Sequence, residues 1–157
     1  MARASSSAPP KRARPAPAPS HSAETGEPDA PGAQASEITQ AEAEAMLRAA
    51  LRLFALWQLS DQEGRILLGQ PAARTYARWK ANEVAGIPYD TARRLSYLMG
   101  IHKALRHLFK EPERAYAWIR RDNEVFGGQS ALRRMLAGDV TDLASVRAYL
   151  DAERGGW

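Results

Sequence analysis

The chain has 157 residues, 45% of them hydrophobic, and a formal net charge of +4; that is enough for one domain, or two small ones sharing a core, and too little for a large enzyme. It holds no cysteine, which excludes disulfides and thiolate metal sites and fits a reducing cytoplasm. No apolar run approaches the roughly 20 residues of a membrane span, so a soluble cytoplasmic protein is expected, and the small basic excess tilts it towards nucleic acid or an acidic partner.

Residues 1–38 are almost purely Ala, Pro, Ser and Gly with scattered charges. Too little apolar surface is available there to offset the entropy of ordering, and a disordered tail is expected. The basic run Lys11 to Arg14 reads either as a weak phosphate-seeking arm or as simple solvation. The prolines around it forbid the amphipathic helix of a transit peptide.

From Thr39 the pattern turns helical. The stretch "TQAE" is a capping box of Thr39 and Glu42. Behind it Ala43, Met46, Leu47, Ala50, Phe54 and Trp57 recur at three- and four-residue steps, the apolar stripe of a packed helix that runs to about Leu59. "SDQE" repeats the box at Ser60 and Glu63 and launches a short helix through Ile66, Leu67 and Leu68, which "GQP" stops. A third helix is expected from Pro71, with Ala72, Tyr76 and Trp79 facing inward.

Two short helices joined by a tight glycine-containing turn outline a helix-turn-helix, whose second member lies in the DNA major groove. Here that member is "PAARTYARWKAN". Arg74 and Arg78 stand one turn apart on its outer face beside Thr75, with Lys80 following. Arginine bonds a guanine edge bidentately, and threonine approaches a phosphate or a thymine methyl. The alternative is an ordinary solvated face. Helix-turn-helix proteins bind paired half-sites, so a homodimer is expected on this reading.

The longest helix is predicted from Tyr89 to Lys110, with Leu95, Leu98, Leu105, Leu108 and Phe109 apolar and Arg93, Arg94, Lys103, Arg106 and Lys110 around the rest. His102 falls on the apolar side, as a packed or subunit-surface histidine rather than a ligand or base. His107 does not complete a metal site, because a five-residue step puts the two imidazoles on different faces. A further helix opens at "EPERAYAWI", with Ala115, Trp118 and Ile119 inward. Asn123, Gly127 and Gly128 break the chain around Phe126. "QSALRRMLAG" gives a short helix ending at Gly138. The last helix runs from about Asp142 to Glu153, with Leu143, Val146 and Leu150 buried, Arg147 and Tyr149 beside them, and Gly155 closing it. No segment alternates as a strand does, and the predicted fold is all-α.

Four motifs stand in order in the second half: "P-E-x-A-x-x-W" from Pro112 to Trp118, "N-x-x-F-G-G" from Asn123 to Gly128, "L-x-x-M-L-x-G" from Leu132 to Gly138, and the closing "D-L-x-x-V-R-x-Y-L-D-A-x-R-G-G-W". With them, residues 90–157 resemble the toxin-binding domain of the Xre/MbcA/ParS antitoxins. Residues 45–89 resemble the Xre-like helix-turn-helix that usually precedes it, and the organisation expected is a tail (1–38), a DNA-binding region (39–89) and a toxin-binding domain (90–157). The commonest family form has proline after the serine of "F-G-G-x-S", where this chain has Ala131.

The resemblance implies an antidote of a type II toxin–antitoxin operon, one that blocks a RES-domain toxin, an enzyme that depletes NAD, and represses its own operon at operator DNA. Arg147, Arg154, the hinge of Gly155 and Gly156, and Trp157 with its carboxylate are then the residues expected to enter the toxin's NAD cleft. The alternative for Trp157 is packing on its own domain or across a homodimer. Two other readings differ in class. One is a stand-alone helix-turn-helix regulator. The other is an enzyme, for which Glu83, Asp90 and His102 lie on separate elements with no visible nucleophile, base and oxyanion constellation. No cofactor or metal is expected.

Overall fold

The computed structural model describes residues 37–155. The expectations for the first 36 residues, including the basic run from Lys11, and those for Gly156 and Trp157 lie outside the described residues. Helix α1 (Gln40–Leu56) starts where the sequence placed it. The Thr39 hydroxyl accepts from the Glu42 N–H at 3.2 Å, and the Glu42 carboxylate accepts from the Thr39 N–H at 2.8 Å, so two orphan donors are satisfied at once. Ser60 and Glu63 repeat the exchange ahead of α2 (Asp61–Leu67).

Helix α1 stops at Leu56 rather than Leu59, because Trp57 already caps it and Gln58 turns left-handed with φ of 57°. Helix α3 (Ala73–Lys80) starts after Ala72 and not at Pro71. The chain is still turning there: Gln70 is left-handed with φ of 59°, and the Pro71 carbonyl accepts from Arg65 Nε at 2.8 Å. Ala72 is accordingly exposed, against the inward position predicted for it, while Tyr76 and Trp79 are buried.

Helix α4 (Tyr89–Leu108) is the spine, packed against α1 and against the last helix. It ends at Leu108 instead of Lys110, with Phe109 already extended. Helix α5 (Pro112–Trp118) follows. The segment expected to contain no strand holds a minimal antiparallel ribbon, β1 (Asp122–Asn123) with β2 (Gln129–Ser130), Asp122 facing Ser130 and Asn123 facing Gln129. The ribbon is what "N-x-x-F-G-G" builds. Asn123 Oδ1 accepts from the Val125 N–H at 3.0 Å, a single 3₁₀ turn spans Glu124–Phe126, and Gly127 and Gly128 reverse the chain at φ of 67° and 78°. Two residues per strand are too few to alternate, so periodicity gave no sign of it.

Ser130 then caps α6 (Ala131–Met135), its hydroxyl accepting from the Arg133 N–H at 3.1 Å. Ala131 is buried at the first helical position, and the Ser130 cap starts the helix without a proline there. The last helix, α7 (Val140–Gly155), begins earlier than Asp142 because Asp139 accepts from the Thr141 N–H at 2.8 Å and its own N–H donates to Asp142 at 3.2 Å.

A single core joins these elements, running from Leu47, Phe54 and Trp57 through Leu67 and Trp79 to Leu95, Leu105, Ile119, Met135 and Leu150. The predicted DNA-binding and toxin-binding regions therefore share one hydrophobic interior across the described residues. Polar groups reinforce the joint. Arg94, predicted on the solvent face, is buried, because its Nε donates to Asp90 at 2.8 Å and its Nη1 reaches the Ile66 carbonyl at 3.5 Å. Thr91 donates to the Leu68 carbonyl at 3.0 Å, and Arg120 donates to the carbonyls of Trp57 and Gln58 at 2.7 and 3.1 Å. These bonds satisfy carbonyls that the ends of α1 and α2 leave without intrahelical partners. Gly69 closes the α2–α3 turn at φ of 89°, and a Cβ there would stand 2.8 Å from Asp90 Oδ2, so both conformation and space demand glycine.

Candidate functional site

Helix α3 presents Arg74, Thr75, Arg78 and Lys80 outward, all exposed, while Tyr76 and Trp79 anchor its other face. Their charges are not equivalent. Lys80 Nζ lies 2.8 Å from Asp61 on α2 and 5.9 Å from the centre of the Tyr76 ring, and Arg78 Nε lies 3.5 Å from Glu83. Arg74 and Thr75 have no side-chain hydrogen bond or ion pair with another described residue, so the first turn of α3 offers the less engaged polar groups. Burial, and then the nearby Asp61 charge, push the Tyr76 phenol above its ordinary value.

Helix α7 carries the remaining predicted residues. Arg147 lies across α4 at Gly100. A Cβ on that glycine would stand 1.1 Å from Arg147 Nη1, so the missing side chain is the notch in which the guanidinium rests. Arg147 Nε donates to Asp151 Oδ2 at 2.6 Å, and Asp151 Oδ1 lies 3.7 Å from Arg154 Nη2. One carboxylate thus sits between two cations one turn apart on either side, which aligns Arg147 and Arg154 along the end of α7. Gly155 is exposed as the last described residue of the helix. Gly156 and Trp157, expected beside them, lie outside the described residues.

His102 is half-buried and stacks on Tyr116 of α5, rings 6.3 Å apart. Burial, and then the Arg106 charge, hold its pKa below the ordinary value. Glu83, Asp90 and His102 engage different neighbours, namely Arg78, Arg94 and Tyr116. Among the described residues no three His, Asp or Glu side chains converge as a metal would require, and no helix is long and apolar enough to cross a membrane.

An aromatic assembly on the surface of the second half escaped the sequence reading. Trp118 stacks on Tyr149 at 6.1 Å, Phe126 meets the edge of Tyr149 at 5.4 Å, and Phe109 tilts against Trp118 at 6.5 Å. Periodicity assigns Trp118 to the inner face of its own helix, but not its meeting with Tyr149 from another. The "N-x-x-F-G-G" motif was the available signal, since its turn is what delivers Phe126.

An all-α chain that offers a polar helix next to a tight turn, and a helical second half with an aromatic and cationic surface, belongs to the class of small helical binding proteins. Its family follows from comparison. Residues 104–156 match the model of the antitoxin Xre/MbcA/ParS C-terminal toxin-binding domain. The chain is also 49% identical over 113 residues to a protein of Sinorhizobium fredii (strain NBRC 101917 / NGR234) described as uncharacterized protein y4oB, the match covering 71% of this chain and 86% of that one. The chain belongs to the Xre/MbcA/ParS antitoxin family. That membership supports an antitoxin's role in a toxin–antitoxin system and implies a toxin as protein partner.

Proposed function

We propose that this antitoxin binds and inhibits a RES-domain toxin that depletes NAD, and that it represses its own operon as a homodimer bound to operator DNA. The match of residues 104–156 to a toxin-binding domain carries the reading. Arg147, Arg154, Gly155, Gly156 and Trp157 act together at the end of α7. The two arginines, aligned by Asp151, suit the phosphate-binding part of an NAD cleft, and the indole takes the place of an aromatic ring of the cofactor. Inhibition on this reading is occupation of the cleft.

The DNA half of the proposal rests on α3. Arg74 and Thr75 meet bases or phosphates from its first turn, with Arg78 and Lys80 giving up their exposed partners Glu83 and Asp61 for the DNA backbone. Exposed ion pairs of this kind hold little energy, so exchanging them costs little.

The test is co-expression with the product of the adjacent reading frame, for the full chain and for a chain ending at Glu153, with NAD consumption assayed in both preparations. A silent full-length complex and a truncated one that consumes NAD support the plug. Two silent complexes would move inhibition to the helical surface, and failure to co-purify would remove the toxin from the account.

A further inference from the structure

The aromatic assembly encloses a surface groove of about 180 Å³, lined by Leu108, Phe109, Trp118, Tyr149, Leu150 and Glu153. All six lie within the toxin-binding match. Leu150 forms the buried floor, the three aromatic side chains are half-buried, and exposed Glu153 supplies the charge at the rim. Val125, beside Phe126 in the chain, is 60% exposed. Half-buried aromatic rings held in register by stacking are the side chains that carry binding energy at protein interfaces.

We infer that this groove is a second contact for the toxin, taking an apolar side chain from the rim of the toxin's cleft with a basic neighbour against Glu153. The inference rests on the proposal that the end of α7 enters that cleft. Tyr149, Leu150 and Glu153 belong to the final turns of α7, which the structure follows to Gly155. Gly156 and Trp157 extend at most about 7 Å beyond that point. A toxin whose cleft admits them is brought against the last turns of α7, where the groove opens. The plug gives inhibition on this account, and the groove holds the two proteins together while it acts.

The two contacts separate by mutation. Affinity for the co-expressed product of the adjacent reading frame is measured by calorimetry for the full chain, for Tyr149→Ala, for Glu153→Arg, and for the chain lacking residues 156–157. Thermal melts and sedimentation accompany each variant. Tyr149→Ala is expected to weaken binding roughly 10- to 100-fold, as a central aromatic anchor does, and Glu153→Arg, exposed and harmless to the fold, roughly 3- to 10-fold with a changed salt dependence. Both losses are expected to persist in the shortened chain. Unchanged affinity for Glu153→Arg and for folded Tyr149→Ala overturns the inference while leaving the plug intact. A variant that alters self-association and not toxin affinity overturns it in favour of a second copy of this chain. If the unmodified chain fails to bind that product, the antitoxin–toxin proposal fails first and the groove with it.

Discussion

Replacing Gly100 by alanine tests how Arg147 is held. In an ordinary helix interior alanine is favoured over glycine by about 1 kcal/mol, and Gly100 sits inside α4 without a left-handed φ. The new methyl would lie 1.1 Å from Nη1 and 2.2 Å from Cζ of Arg147, so the guanidinium must leave its notch. With it goes the 2.6 Å bond to Asp151, made between groups 31% and 37% exposed, worth about 1 kcal/mol after solvent screening, together with the packing of the arginine stem. Gly100→Ala is therefore expected to destabilise the wild-type background by about 1 kcal/mol net. In an Arg147→Ala background the clash is absent, and the same change should stabilise by about 1 kcal/mol. The sign reverses, giving a coupling of about 2 kcal/mol in a double-mutant cycle read by urea titration. Equal effects of Gly100→Ala in both backgrounds would refute the notch.

Three further outcomes follow from other contacts. Arg120→Ala removes the Nη2 that donates to the carbonyls of both Trp57 and Gln58 and should cost about 1 kcal/mol; amide exchange should rise first at the end of α1, and uniform exchange changes would contradict the capping role. Lys80→Ala removes a cation that stands 2.8 Å from Asp61 in the free protein and should weaken non-specific DNA binding while flattening its log–log salt slope by about one unit; an unchanged slope would mean that Lys80 does not meet phosphate. Because the His102 pKa is lowered from 6.5 in the folded chain, the unfolded chain takes up the proton first as pH falls, so stability is full above about pH 6.5 and declines through the window below it. His102→Gln should flatten that decline in thermal melts, and an equal slope would refute the assignment.

Much of this fold is written in local patterns. The boxes at Thr39 and Ser60, the stripe from Ala43 to Trp57 and the stripe of Leu143, Val146 and Leu150 each involve residues within a turn or two of one another, and all formed as read. Departures came where distant groups decide. Arg94 is buried because carbonyls of α2 need donors, which no spacing within α4 reveals. The α3 start moved because Arg65 holds the Pro71 carbonyl in the turn. The ribbon at Asn123 was missed because its strands are shorter than any repeat. Among the site residues, Arg74 and Thr75 emerged on the expected face, whereas the Asp61 partner of Lys80 and the Gly100 notch that receives Arg147 lie on other helices. The groove of Phe109, Trp118 and Tyr149 is tertiary throughout.

The measurement that bears most directly on the central claim is a titration of NAD consumption by the adjacent gene's purified product with this protein. The account predicts complete inhibition at a fixed stoichiometry, lost when residues 154–157 are removed while the complex persists. NAD consumption that continues undiminished in a stable full-length complex would contradict it.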